Sequence, residues 1–125
     1  MAGERILVVE DNPMNMELAT DLLELGGFAV EQATDGGTGL DMARTCAPDL
    51  ILLDVGLPDR DGFDLARQLH EDAVTSGIPI VIFTAHAMKQ DEMRAYEVGC
   101  IGFITKPVET QTFCERVSDF LRRRR

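Results

Sequence analysis

The stretch that most constrains this chain is Leu50-Ile51-Leu52-Leu53-Asp54-Val55-Gly56-Leu57-Pro58-Asp59-Arg60-Asp61-Gly62, four apolar residues stopped by a carboxylate and followed at once by a turn. An unbroken apolar run bounded by turn residues reads as a strand buried on both faces, as in a parallel sheet. A carboxylate at its end escapes the cost of unpaired burial, about several kcal/mol, and faces the crevice that the loops make. The pattern recurs. Ile6-Leu7-Val8-Val9 ends in Glu10-Asp11, Pro79 through Phe83 ends in Thr84, and Ile101 through Ile104 ends in Thr105-Lys106-Pro107. In an open parallel sheet these ends share one side, so three carboxylates, a hydroxyl and an ammonium are expected to meet there.

Helical stretches separate the runs. Asn12-Pro13 is a helix-start signal, since Asn caps orphan N–H groups and Pro fits the first turn. Met14, Leu18, Leu22 and Leu25 follow at helical spacing and predict one apolar face, with Gly26-Gly27 as the left-handed stop. Phe28–Ala33 is the expected second strand, and Asp35-Gly36-Gly37 leads into a helix with Leu40, Ala43 and Ala47 inward, closed by Pro48. A third helix is expected past Gly62 on Phe63, Ala66 and Leu69, a fourth from Met88 through Val98 to Gly99, and a fifth on Phe113, Val117, Phe120 and Leu121. Strict alternation predicts an α/β fold, a doubly wound five-stranded parallel sheet with five helices, as one domain over 1–125.

Composition narrows the function classes. Twelve basic against twenty-two acidic residues give a net charge of −10, which repels nucleic acid phosphates and acidic membrane surfaces, so no direct nucleic acid contact is expected. No apolar run approaches the roughly 18 residues of a membrane span, and the start of the chain leads straight into the first strand. Cys46, Cys100 and Cys114 lack paired spacing and read as reduced thiols, so a cytoplasmic protein is expected. His70 and His86 have no metal-ligand spacing and read as surface residues, His86 near the crevice. The run Arg122–Arg125 reads as cations complementing a helix C-terminus.

Gathered carboxylates repel, by about 4 kcal/mol per pair at roughly 4 Å in an effective dielectric of ~20. A cation would relieve Glu10, Asp11 and Asp54, and oxygen-only ligands suit Mg²⁺ better than zinc. A lysine and a hydroxyl opposite a metal-bound carboxylate clamp a group with several negative oxygens, such as phosphoryl. Asp54 then reads as the nucleophile that becomes an aspartyl phosphate, with Lys106 neutralising charge and Thr84 bonding a phosphoryl oxygen.

With these residues in place, Glu10-Asp11, Asp54 with Leu57-Pro58 and Asp61-Gly62, Thr84-Ala85 and Lys106-Pro107 resemble the signature of two-component response-regulator receiver domains, the CheY-like family. The resemblance spans essentially the whole chain. Asn12-Pro13-Met14-Asn15-Met16 and Thr84 through Lys89 are similar to stand-alone regulators of the DivK type and to receivers of hybrid kinases. It implies the flavodoxin-like strand order 2-1-3-4-5, phosphoryl transfer to Asp54 from a histidine kinase or histidine phosphotransfer protein, and Mg²⁺ on Asp11, Asp54 and the Gly56 carbonyl with Glu10 nearby. It also implies a switch pair, Thr84 and Phe103. A downstream protein would then bind the face of the fourth helix, fifth strand and fifth helix, on a chain that is a monomer or weak dimer and no enzyme beyond its own phosphorylation and dephosphorylation. Gly56 offers no side chain over the acyl phosphate, and Phe103 stands where a tyrosine is frequent.

Two rivals remain at this level. A haloacid-dehalogenase-like phosphohydrolase also uses an Asp nucleophile with Mg²⁺, a hydroxyl and a lysine, but a general-acid Asp belongs two residues on, where this chain has Gly56. A degenerate receiver acting only as a binding module would lack part of the acceptor set, and all of it is here. A flavin carrier is disfavoured because no phosphate-cradling loop follows the first strand.

Overall fold

A computed structural model describes residues 3–85, 88–106 and 108–123, so the expectations for His86, Pro107, Arg124 and Arg125 lie outside the described residues. Strands β1 (Arg5–Val9), β2 (Ala29–Ala33), β3 (Leu50–Leu53), β4 (Ile80–Thr84) and β5 (Gly102–Thr105) alternate with helices α1 (Pro13–Leu25), α2 (Gly36–Cys46), α3 (Gly62–Glu71), α4 (Lys89–Glu97) and α5 (Phe113–Arg123). The sheet runs β2-β1-β3-β4-β5 with every neighbour parallel, the order that the resemblance implied. Val9 pairs with Leu53 and Leu53 with Ile82, so β1 and β3 end level while β4 runs two residues further, to Thr84.

Successive strand residues point to opposite faces, and the two cores divide by that period. Leu7, Val9, Ile51, Leu53, Ile80 and Ile82 meet Leu40 and Ala43 of α2, Phe63 and Leu65 of α3 and Ala95 of α4. Ile6, Val8, Leu50, Leu52, Val81 and Phe83 meet Met16, Ala19 and Leu23 of α1 and Phe113, Val117 and Phe120 of α5. At about 1.5–3 kcal/mol per fully buried large side chain, these two layers supply the main drive to fold.

The helix starts follow their capping chemistry. Asn12 Oδ1 accepts from the Met14 and Asn15 N–H groups at 3.0 and 3.1 Å, and Asp35 Oδ1 accepts from the Thr38 N–H at 2.7 Å. Gly27 supplies the positive φ, 93°, that stops α1. All three cysteines are free.

Two expectations are corrected. Met14 and Leu25 are 79% and 85% exposed and Leu18 is exposed too, while the inward face of α1 is Met16, Ala19 and Leu23. Those positions also follow helical spacing, but the middle one is a fully buried alanine, which a search for large apolar residues passes over. Ala47 is not on the inner face of α2. It is exposed in the left-handed region, φ 48°, one residue past the helix, because Pro48 disfavours the helical conformation in the residue before it.

Candidate functional site

The ends of β1, β3 and β5 bring four charged side chains together. Glu10 and Asp11 follow β1 and Asp54 follows β3, its N–H donating to the Val9 carbonyl at 3.0 Å. Lys106 follows β5, its N–H donating to the Thr84 carbonyl at 2.8 Å, which turns the side chain back over the sheet end. Its ammonium lies 2.5 Å from Glu10 Oε1, 3.5 Å from Asp54 Oδ2 and 5.1 Å from the centre of the Phe83 ring. Carboxylate oxygens of Glu10, Asp11 and Asp54 lie within 4.8 Å of one another.

Each acid is held differently. Glu10 is fully buried and its Oε2 accepts from the Asn12 N–H at 3.0 Å, so the residue that caps α1 also orients the acid before it. Burial raises the Glu10 pKa from its ordinary 4.5, against the lowering effect of the Lys106 and Asn12 hydrogen bonds, and the Asp54 charge pushes it further up. Asp54 is buried, with Oδ1 accepting from the Gly56 N–H at 3.2 Å. Asp11 is exposed, so the trio opens to solvent on its side.

The loop after Asp54 is pinned at its base. The Gly62 N–H donates to the Val55 carbonyl at 3.0 Å, and a Cβ at Gly62 would stand 2.4 Å from Val55 Cα, so only glycine lets the chain return so close under the acid. Gly56 is exposed with no neighbour within 4 Å of a Cβ position.

Thr84 ends β4 and is buried. Phe103, in β5, is 7% exposed and belongs to the core layer of α2, α3 and α4, with its carbonyl accepting from Arg116 Nη2 of α5 at 2.9 Å. The structure thus brings together Glu10, Asp11, Asp54 and Lys106, keeps Gly56 beside Asp54, and sets Phe103 inward rather than out on the α4–β5–α5 face. Sequence reading missed Arg116 and Asp59, whose carboxylate crosses to the start of α2 and accepts from the Gly36 and Gly37 N–H groups at 2.7 and 2.9 Å. The only signal for Asp59 was a turn-rich segment facing a helix start with two glycines.

Three carboxylates against one ammonium leave an excess of negative charge when all are ionised. Oxygen donors at this spacing fit a hard divalent cation, and Asp11 gives it an entry from solvent. A cavity of about 420 Å³ adjoins Glu10 and Asp11 between α1 and β2, but Glu17 and Asp21 line it too, a poor setting for an anionic small substrate.

Comparison with known proteins gives the same family from sequence and from structure. The family model described as the response regulator receiver domain matches residues 6–118. The polar-differentiation response regulator DivK of Brucella anthropi is 39% identical over 116 residues, 93% of this chain and 94% of that protein. The non-phosphorylated HemR receiver domain from Leptospira biflexa superposes with a TM-score of 0.86 at 34% identity, covering 97% of this chain and 96% of that one. The receiver domain of a sensor histidine kinase from Pseudomonas aeruginosa superposes with a TM-score of 0.87 at 28% identity, covering 96% and 98%, and its crystal structure has a magnesium ion coordinated in the active-site cleft.

Proposed function

Because this chain belongs to the response regulator receiver family of two-component signalling, we propose that Asp54 is its phosphoacceptor and that residues 1–125 form one receiver unit. The observation that carries the assignment is a carboxylate at the sheet end, 3.5 Å from a lysine ammonium and sharing its site with two more acids.

An Asp54 oxygen attacks the phosphorus of a phosphohistidine on a histidine kinase or histidine phosphotransfer protein. The P–N bond breaks, its electron pair stays on the imidazole, and an aspartyl phosphate forms. Lys106 neutralises the equatorial oxygens as they approach, and the Thr84 hydroxyl donates to one of them afterwards. Asp11, Asp54, the Gly56 carbonyl and, at the periphery, Glu10 would hold Mg²⁺, which when bound supplies positive charge against the phosphoryl oxygens. Such chemistry runs once per signal, so the chain works as a cytoplasmic signalling domain and not as a turnover enzyme. The acid-lined cavity and the Gly56 that replaces a general acid argue against the phosphohydrolase reading.

A phosphoryl group adds roughly −1.5 to −2 charges. Drawing Thr84 toward it would hold Phe103 in the inward placement that it already has here, and so fix the shape of the α4–β5–α5 face presented to a downstream protein. Reversing a 1:99 population needs about 5.5 kcal/mol of differential stabilisation, the order of two or three charge-assisted hydrogen bonds. Acetyl phosphate with Mg²⁺ should add one phosphoryl group to the wild-type chain and none to Asp54→Asn, as read by intact-mass spectrometry. Equal labelling of the two would refute the assignment.

A further inference from the structure

The loop Val55–Asp61 carries Gly56, whose carbonyl the reading above gives to the metal, so this inference rests on that reading. The base of the loop is fixed by the Gly62–Val55 hydrogen bond and by the bridge between Gly56 and Asp61. Gly56 itself is exposed and has no side chain; its N–H donates to Asp54 Oδ1 at 3.2 Å, and its carbonyl lies on the side of the peptide that leads into the tip. What remains is the tip. Leu57 is buried in the core. Beyond it Asp59 reaches across to α2, with Oδ1 accepting from the Gly36 N–H at 2.7 Å and Oδ2 from the Gly37 N–H at 2.9 Å. The Arg60 side chain lies over Gly36, where a Cβ would stand 2.7 Å from Arg60 Cγ, and its guanidinium donates to Gln68 Oε1 of α3 at 3.0 Å.

From this arrangement we infer that Asp59 is a positioning residue, latching the metal-bearing loop to the N-terminus of α2 and so fixing the direction of the Gly56 carbonyl. Both carboxylate oxygens are used, on two successive N–H groups at the positive end of a helix, which sets distance and orientation together. Those same two N–H groups hold the Asp59 pKa below its ordinary value, so the latch is charged at neutral pH. The helix has its own cap in Asp35 on the Thr38 N–H, so Asp59 is not needed to start α2. A tip released from α2 would let the Gly56 carbonyl drift from the ligating direction and weaken ion binding without altering any ligand.

The test is calorimetric titration of the intact chain with Mg²⁺ for wild type, Asp59→Ala, Asp59→Glu and Asp35→Ala, with the thermal midpoint of each. Asp59→Ala should bind Mg²⁺ about tenfold more weakly, Asp59→Glu should recover most of that loss, and Asp35→Ala should lower the midpoint while binding Mg²⁺ as wild type does. Wild-type affinity in Asp59→Ala overturns the latch, as does an equal loss in Asp35→Ala. A loss that vanishes at roughly 0.5 M salt, where the screening length is only a few ångströms, also overturns it, because that marks attraction through space. A wild-type chain that binds no Mg²⁺ overturns instead the metal reading on which the latch depends.

Discussion

Two groups of acids in this chain are chemically alike and physically opposed. Asp35, Asp61 and Asp72 each accept from a backbone N–H close in sequence, Thr38, Phe63 and Val74, at 2.7 to 2.8 Å, and Asp72 also pairs with Arg44. Each is satisfied where it stands. Glu10, Asp11 and Asp54 instead crowd within 4.8 Å, two of them buried, with one ammonium between Glu10 and Asp54. Local donors turn a carboxylate into a cap. Glu10 and Asp54 have donors too, from Asn12, Gly56 and Lys106, so what sets the rim apart is the repulsion among its three charges, which a cation from outside would relieve.

The sharpest way to break that contrast is at Asp54. Asp54→Asn should abolish phosphorylation altogether and, in chelator, raise the thermal midpoint, since a repelling charge leaves while Lys106 keeps Glu10. If the midpoint instead falls as it does for a lost cap, the rim is no more strained than the rest of the surface, and the distinction collapses. Next in size is Lys106→Ala. Removing this ammonium should slow transfer from acetyl phosphate by about 100-fold. It should also cost about 3 kcal/mol in urea denaturation, because two buried acids are left facing each other.

How much of this was legible beforehand follows the same division. Terminating carboxylates after apolar runs placed Glu10, Asp11 and Asp54 at one sheet end, because strand burial and strand ends are local properties of sequence. The resemblance added the strand order. What escaped was set by packing between distant segments. The inward face of α1 depends on Ala19 lying under the helix, which no pattern of large residues marks. Asp59 meets α2 across 22 or 23 positions of chain, and Arg116 meets the Phe103 carbonyl across 13. Neither contact has a periodic signal.

A satisfied acid gives a smaller effect. Asp61 accepts from the Phe63 N–H at 2.8 Å and pairs with Arg94, which also lies 4.5 Å from the centre of the Phe63 ring. Asp61→Ala should destabilise the chain by about 1 kcal/mol, the usual loss for a helix cap. Phosphorylation of Asp54 should persist. Complete loss of phosphorylation in Asp61→Ala would mean that the cap belongs to the rim after all.

The finest distinction is the sign of the pH dependence. Burial raises the Glu10 pKa above 4.5, so in the interval above 4.5 the folded chain holds more protons at this site than the unfolded one. The Glu10 contribution is therefore most favourable below pH 4.5 and is lost as pH rises through the folded value. Asp72 is opposite: its hydrogen bond from Arg44, and then the Val74 N–H, lower its pKa below 3.8. Its stabilisation is present above pH 3.8 and disappears as pH falls through the folded value. Urea denaturation in chelator, from about pH 3 to about pH 8, should show wild type losing ground to Glu10→Gln as pH rises. Against Asp72→Asn, wild type should gain ground as pH rises through the acid end of the range. If both differences run in the same direction, the buried rim acid and the surface acid are not opposed, and the crowding at Asp54 needs another cause.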